Sequence, residues 1–314
     1  MTSLTHTAEA TGAPGRGGAS PSRPHHARRA LLRSIPLIPA MVLVAIFLLG
    51  PVIDAFYGSF TNMALTGAAA QNSEFIGFQN YIQLFQNPDF WKSVWLTVLF
   101  VVGSAIIGQN VLGLALAMLM RSGSKMLSGV VGTLVVTSWV LPEVVGAFCA
   151  YAFFSGSGTL NEILAIVGIK GTDWLYVVPM VSVILANIWR GTAFSMMVYS
   201  AAITEVPEEI TESAELDGAS GWKRLIYITL PMIRRSISTN LMLTTLQTLS
   251  VFGLIYIMTA GGPGTSSSTL PVLAYQEAFK FSQLGLGTAI AVVMLIIGAV
   301  FSIIYIKALK PEVD

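Results

Sequence analysis

The body of this chain has no histidine: His6, His25 and His26 all precede Ala27, and none follows. Without imidazole, triad hydrolysis, His-ligated metal catalysis and histidine proton relays are disfavoured. Cysteine is almost as scarce. Cys149 stands alone, so neither a disulfide framework nor a thiolate metal site can be built, and its apolar neighbours mark it as inert packing. Charged residues make up 11% of the 314, against about 25% in an average soluble domain. The net charge of +1 is too small for a nucleic-acid binder that works by neutralising phosphates. A phosphate loop, G-x-x-x-x-G-K-[ST], is also absent. The stretch "GGPGTSSS" at 261–268 has the glycines without the lysine, and it reads as a tight turn.

What is plentiful is apolar surface. Hydrophobic residues reach 54% and the mean hydropathy is +0.72, which a soluble protein could not cover. Six runs are long enough to cross roughly 30 Å of hydrocarbon: about 35–58, 93–120, 126–154, 177–201, 237–260 and 285–308. The expected fold is therefore an all-α polytopic membrane protein with six transmembrane helices, filling 31–314 as one domain. Residues 1–30, rich in Gly, Ala, Pro, Ser and Thr without apolar periodicity, are expected to be a disordered cytoplasmic tail. The first run passes Gly50 and Pro51 without a small-residue cleavage site, so it reads as an uncleaved span. Lys92, Lys170 and Lys280 fall on one side. All the other lysines and arginines fall on the opposite side, except Arg190 within a span. The positive-inside rule then sets both termini in the cytoplasm.

Two segments outside the spans show local order. "FIGFQNYIQLFQNPDFW" at 75–91 reads as a short amphipathic element with interfacial aromatics, and "GTLNEILAIVGI" at 158–169 as a short helix across the outer mouth. The longest polar interval, 202–236, reads as two short helices joined by a turn. Pro207 suits a first helical turn, with Glu208 and Glu209 at its positive end. Gly218 is placed to end that helix, Trp222, Leu225 and Ile226 give a second apolar face, and Pro231 breaks the pattern. The same composition also suits a plain solvated connector.

Within that interval, Glu212-Ser213-Ala214, three residues, Gly218, nine residues, Ile228, one residue and Leu230-Pro231 follow a recognisable spacing. It resembles the EAA loop of permease subunits in binding-protein-dependent ABC importers, with Ser213 where alanine is usual. "NIWRGTAF" at 187–194, "VPEEITESAELDGAS" at 206–220 and "FGLIYIMTAGGPGTSSSTL" at 252–270 are similar to the carbohydrate-uptake branch that handles maltose, trehalose and glycerol phosphate. The resemblance runs from about residue 35 to the C-terminus.

It implies a coupling helix seated in a groove on a cytoplasmic ATPase, with Glu212, Ser213, Ala214, Asp217, Gly218, Ile228, Leu230 and Pro231 at the contact. Ala214 and Gly218 would allow close approach, while Glu212 and Asp217 would offer carboxylates. The implied partners are a second homologous permease, two cytoplasmic ATP-binding subunits, an extracytoplasmic solute-binding protein, the lipid bilayer and a sugar-like solute. The implied location is a bacterial or archaeal plasma membrane. No cofactor, metal or catalytic residue of its own is expected.

For the solute pathway, Arg190 is the conspicuous residue, because a charge at membrane depth costs about 2.5–3.5 kcal/mol on insertion scales. Asn187, Arg190, Gly191 and Phe194 share one helical face, and Thr244, Gln247, Thr248 and Val251 form a comparable face on the fifth span. The resemblance points to the same two helices as sugar-contacting. Alternatively Arg190 pairs with Glu143 or snorkels between subunits. Glu143, beside Pro142, suits a gate or a structural pair equally. Gly103, Gly108 and Gly113 suit helix packing. An ion-driven secondary transporter is the competing class. It calls for mid-span acids and an internal repeat, and Glu143 is the one clear mid-span acid.

Overall fold

In a computed structural model, residues 38–309 are described, so the expected tail and the start of the first run lie outside them. The residues up to Val52 and those from Ile53 onward form two units. The apolar run that begins in the first gives α1 (Ile38–Ser59), whose last residues belong to the second, with a π turn at Ala45–Leu49 just before Pro51. A proline ring crowds the carbonyl four residues back, and the wider π ladder makes room for it. The same device recurs at Leu225–Thr229, ahead of Pro231.

The second unit is helical, apart from a single antiparallel bridge between Thr61 and Phe75 among the described residues. Its elements are α2 (Gln79–Gln86), α3 (Pro88–Ser122), α4 (Lys125–Val140), α5 (Glu143–Phe154), α6 (Thr159–Ile166), α7 (Pro179–Thr204), α8 (Glu208–Leu216), α9 (Gly221–Arg224), α10 (Arg234–Leu249), α11 (Gly253–Thr259), α12 (Leu270–Tyr275) and α13 (Leu284–Leu309). Prolines stand at the starts of α3, α7 and α12, where a missing N–H costs no hydrogen bond.

α1, α3, α7 and α13 are each long and apolar enough to cross a membrane. The expected third and fifth spans are not straight helices. Between α4 and the stretch Glu143–Ile166, which takes in α5 and α6, the axis turns by 109°, and between α10 and α11 by 49°; counting each bent pair as one span gives six. The first break follows from Pro142. It pushes Leu141 out of the helical region to φ −57°, ψ 136°. At the second, Glu143 Oε1 accepts a hydrogen bond from Leu254 N at 2.9 Å and so satisfies an N–H at the start of α11. The two breaks thus meet through one carboxylate.

α3 and α7 pack most intimately. Gly103 faces Ile184, Gly108 faces Ile188, and a Cβ at Gly113 would stand 2.5 Å from Ser195 Cβ and 2.9 Å from Met196 N. On α7 the roles reverse, and Gly191 leaves the space that the Gln109 amide fills. Small residues at these crossings let the backbones close, as in membrane helix pairs generally. A π turn at Val101–Gln109 loosens α3 at this crossing. There Asn110 Nδ2 donates to Ala105 O at 2.6 Å.

α5 presents Cys149 on its exposed side, so the thiol is not packed away as its apolar neighbours suggested. The 75–91 segment does form a short helix, α2. Asn87 caps α3 by accepting from Asp89 N at 2.9 Å, and Phe85, Phe90 and Trp91 cluster beside it.

Candidate functional site

At one end of the second unit, the chain between α7 and α10 forms the loop singled out by its spacing. α8 ends in a Schellman arrangement: Ala219 N donates to Ala214 O at 2.9 Å and Gly218 N to Glu215 O at 3.0 Å. Gly218 sits at φ +79°, a conformation glycine reaches cheaply. Arg224 Nη1 then grips Glu215 Oε2 at 2.5 Å and folds α9 back on α8.

Both ends of the loop are anchored. Val206 and Ile233 are buried in one cluster with Ala117 of α3 and Tyr199 and Ile203 of α7. Between the anchors, Glu212, Ser213, Asp217, Gly218 and Pro231 are exposed, while Ala214, Ile228 and Leu230 are half-buried. Leu216 is 89% exposed, Tyr227 76% and Trp222 70%, so apolar surface is presented on a polar loop.

Further along the helices, the two expected pathway faces meet each other. Asn187 Nδ2 donates to Ser104 Oγ at 2.8 Å and to Thr248 Oγ1 at 3.4 Å, tying α7 to α3 and α10. Thr244 is buried, and its hydroxyl donates to Asn240 O at 2.8 Å. Gln247 alone of that α10 face is exposed. Phe194 packs on Trp139 of α4, with ring centroids 6.1 Å apart. Arg190 lies over Gly146 of α5 and does not pair with Glu143. Its Nε is buried without a hydrogen-bond partner among the described residues.

Sequence reading missed a neighbouring cluster. Asn240 Nδ2 reaches Asn110 Oδ1 at 2.8 Å, Ser195 Oγ at 2.9 Å and Tyr199 OH at 3.2 Å, and Tyr199 OH in turn donates to Asn110 Oδ1. Three helices are cross-linked by fully buried polar groups. Asparagines inside apolar runs were the available signal, since a lone amide at that depth must find a partner on another helix.

At the opposite end, the segment between α11 and α13 folds over α3. Thr265 Oγ1 donates to Asp89 Oδ1 at 3.3 Å. Burial, and then the Asp89 charge, push the Glu277 carboxyl above its ordinary range. A raised carboxyl favours the folded state while protonated, and that contribution is lost as pH rises through the folded value. Glu277→Gln is therefore expected to raise the melting temperature at neutral pH and to flatten its rise on acidification. Melting curves across that pH range check both effects, and a variant with an unaltered pH slope would refute them.

Four long apolar helices and two bent apolar pairs, with a polar loop anchored to two of the helices, define a multi-pass membrane protein. The chain belongs to the family of binding-protein-dependent transport system inner membrane components, which matches residues 109–313. It is 32% identical over 285 residues to the sulfoquinovosyl glycerol transport system permease protein SmoG of Agrobacterium fabrum, covering 90% of this chain and 91% of that one. The trehalose/maltose transport system permease protein MalF of Thermococcus litoralis is 29% identical over 89% of this chain and 94% of its own. Among solved structures, a chain of a bacterial alginate ABC transporter, crystallised with an alginate pentasaccharide-bound periplasmic protein, superposes with a TM-score of 0.75. It shares 25% identity, over 89% of this chain and 94% of that one. The protein is thus a permease subunit of an ABC importer. It is a transport component rather than an enzyme, and the family sets aside the ion-gradient alternative.

Proposed function

We propose that the chain forms half of the translocation pathway for a sugar or sugar-like solute in a bacterial or archaeal plasma membrane, with both termini in the cytoplasm. A second homologous permease would complete the pathway, and an extracytoplasmic binding protein would deliver the solute. Two cytoplasmic ATP-binding subunits would drive it. The substrates of SmoG and MalF support the solute class, and the alginate complex supports the delivery partner.

The observation that carries the coupling role is the loop from Val206 to Ile233, fixed at both ends to α3 and α7 yet exposing Leu216, Trp222 and Tyr227. A partner gripping that surface pulls on two helices at once. Glu212, Ser213, Ala214, Asp217 and Gly218 form its first half, and Ile228, Leu230 and Pro231 its second. Solute passage is assigned to the region of Asn187, Arg190, Gly191 and Phe194 with Thr244, Gln247 and Thr248. In this conformation Asn187 and Thr248 lock helices together, while the buried Thr244 hydroxyl is spent on its own helix, so all three would reach solute only when α7 and α10 separate. Such rigid-body movement is a common switching mode.

Gly218→Asp tests the coupling role. A Cβ there meets nothing within 4 Å, so the cost is backbone strain of roughly 1–2 kcal/mol at the loop surface, and the helices should still insert. Co-expressed with its neighbouring ATPase and permease subunits, the variant is expected to lose most ATPase co-purification and stimulated ATP turnover. Wild-type retention and turnover in a normally inserted variant would remove the loop from the coupling role.

A further inference from the structure

At the end away from the 206–233 loop, α5, the turn before α7 and the segment after α11 border an open surface cleft of about 480 Å³, within the size range of small-molecule sites. Tyr151, Tyr176 and Tyr256 line it, with Ser155 and Thr259 beside them. Asp173 is its one charged lining residue, and its carboxylate makes no hydrogen bond or ion pair among the described residues. The wall carrying Asp173 is held firmly. Asn161 Nδ2 donates to Gly156 O at 2.8 Å and Thr172 O at 2.7 Å, while Asn161 Oδ1 accepts from Trp174 Nε1 at 2.8 Å.

From this cleft an aromatic track leads inward. Tyr256 stacks on Phe252, with centroids 5.2 Å apart, and Tyr275 packs against both at 4.9 Å. One helical turn before Phe252, across the α10–α11 break, stand Gln247 and Thr248. Ring faces suit the C–H faces of pyranosides, and a free carboxylate accepts hydrogen bonds from vicinal hydroxyls more strongly than a neutral group does. The same carboxylate repels phosphate, sulfonate and carboxylate groups.

We infer that this cleft is an entry subsite for a neutral saccharide, with Asp173 holding hydroxyls and Tyr256 passing the ring inward along Phe252. The inference rests on the importer reading and narrows it to uncharged sugars. It places neutral-versus-anionic selection at the mouth of the pathway, apart from the buried Arg190.

The test uses the complete importer in liposomes, loaded with ATP, and the best-imported sugar among trehalose, maltose and sucrose. Asp173→Asn is expected to raise KM about tenfold with the maximal rate kept, the scale of one charge-assisted hydrogen bond at a partly open site. Tyr256→Leu should raise KM likewise, and Tyr256→Phe should restore most of it. Trehalose 6-phosphate should compete better against the Asp173→Asn importer than against wild type. Unchanged KM in both Asp173→Asn and Tyr256→Leu would overturn the subsite. So would a change only in the binding-protein concentration needed for half-maximal turnover, because that marks a docking surface. Preferred import of the phosphorylated sugar by wild type would overturn it while leaving the importer reading intact. If wild type neither imported any of these sugars nor had its ATP turnover stimulated, both readings would fall.

Discussion

Gly113→Leu is expected to yield a chain that inserts but does not close α3 onto α7. The space a side chain would need is already held by Ser195 Cβ at 2.5 Å and by the Met196 backbone N at 2.9 Å. A flexible side chain could step aside, but a backbone cannot. The helices must separate, which pulls Gly108 and Gly191 from their own close contacts. Overpacking a well-filled interior costs about 1–3 kcal/mol, and contact with main chain puts this site at the upper end. The control is Gly129→Leu on α4, where a Cβ meets nothing within 4 Å. Thermal melts in lipid nanodiscs should show a large fall for the first and almost none for the second. Equal melting temperatures would mean that the α3–α7 crossing is not the spine described here.

Asn240→Leu should be nearly as damaging, for the opposite reason. It keeps the branched outline at a somewhat larger volume but removes the donor that reaches Asn110, Ser195 and Tyr199. Single interhelical hydrogen bonds in membranes average about 0.6 kcal/mol, with a maximum near 1.7. Asn110 and Tyr199 keep their bond to each other while Ser195 Oγ loses its donor, so the loss of one donor shared by three groups should cost on the order of 1–2 kcal/mol. The diagnostic is a double-mutant cycle with Ser195→Ala. The two changes should be less than additive, because Ser195 Oγ has already lost its donor in the first variant. Strict additivity would show that the two side chains do not communicate.

Apolar run length signals long helices because membrane thickness imposes it, and among the described residues α1, α3, α7 and α13 are long and apolar enough to cross one. Gly218 was legible as the end of α8, since a left-handed residue after a helix leaves few alternatives to glycine. The glycines of α3 were legible as packing for a similar reason. The break between α10 and α11 was not. Proline announces the bend after Val140, but nothing local marks Ser250–Phe252, where the helix stops because a carboxylate from another helix offers Leu254 N a better partner. The pathway faces show the same limit. Polar residues at helical spacing on two spans predict a shared polar face, but they do not say whether solute or the neighbouring helix fills it. Here Asn187 and Thr248 fill it for each other, and their separation during transport is what the proposed cycle requires.

The lone thiol on α5 has a practical use. Cys149 is exposed beside Trp189 and Phe153 at the edge of an apolar cleft. With one cysteine in the sequence, a fluorophore or spin label attaches at a defined position without any cysteine-free background. α5 carries Glu143 at one end, where the two bends join, and Tyr151 near the other, at the cleft. A reporter fixed between them sits on the lever through which any rearrangement of the bent helices would pass. The native chain therefore comes already equipped for spectroscopy of its own working motion.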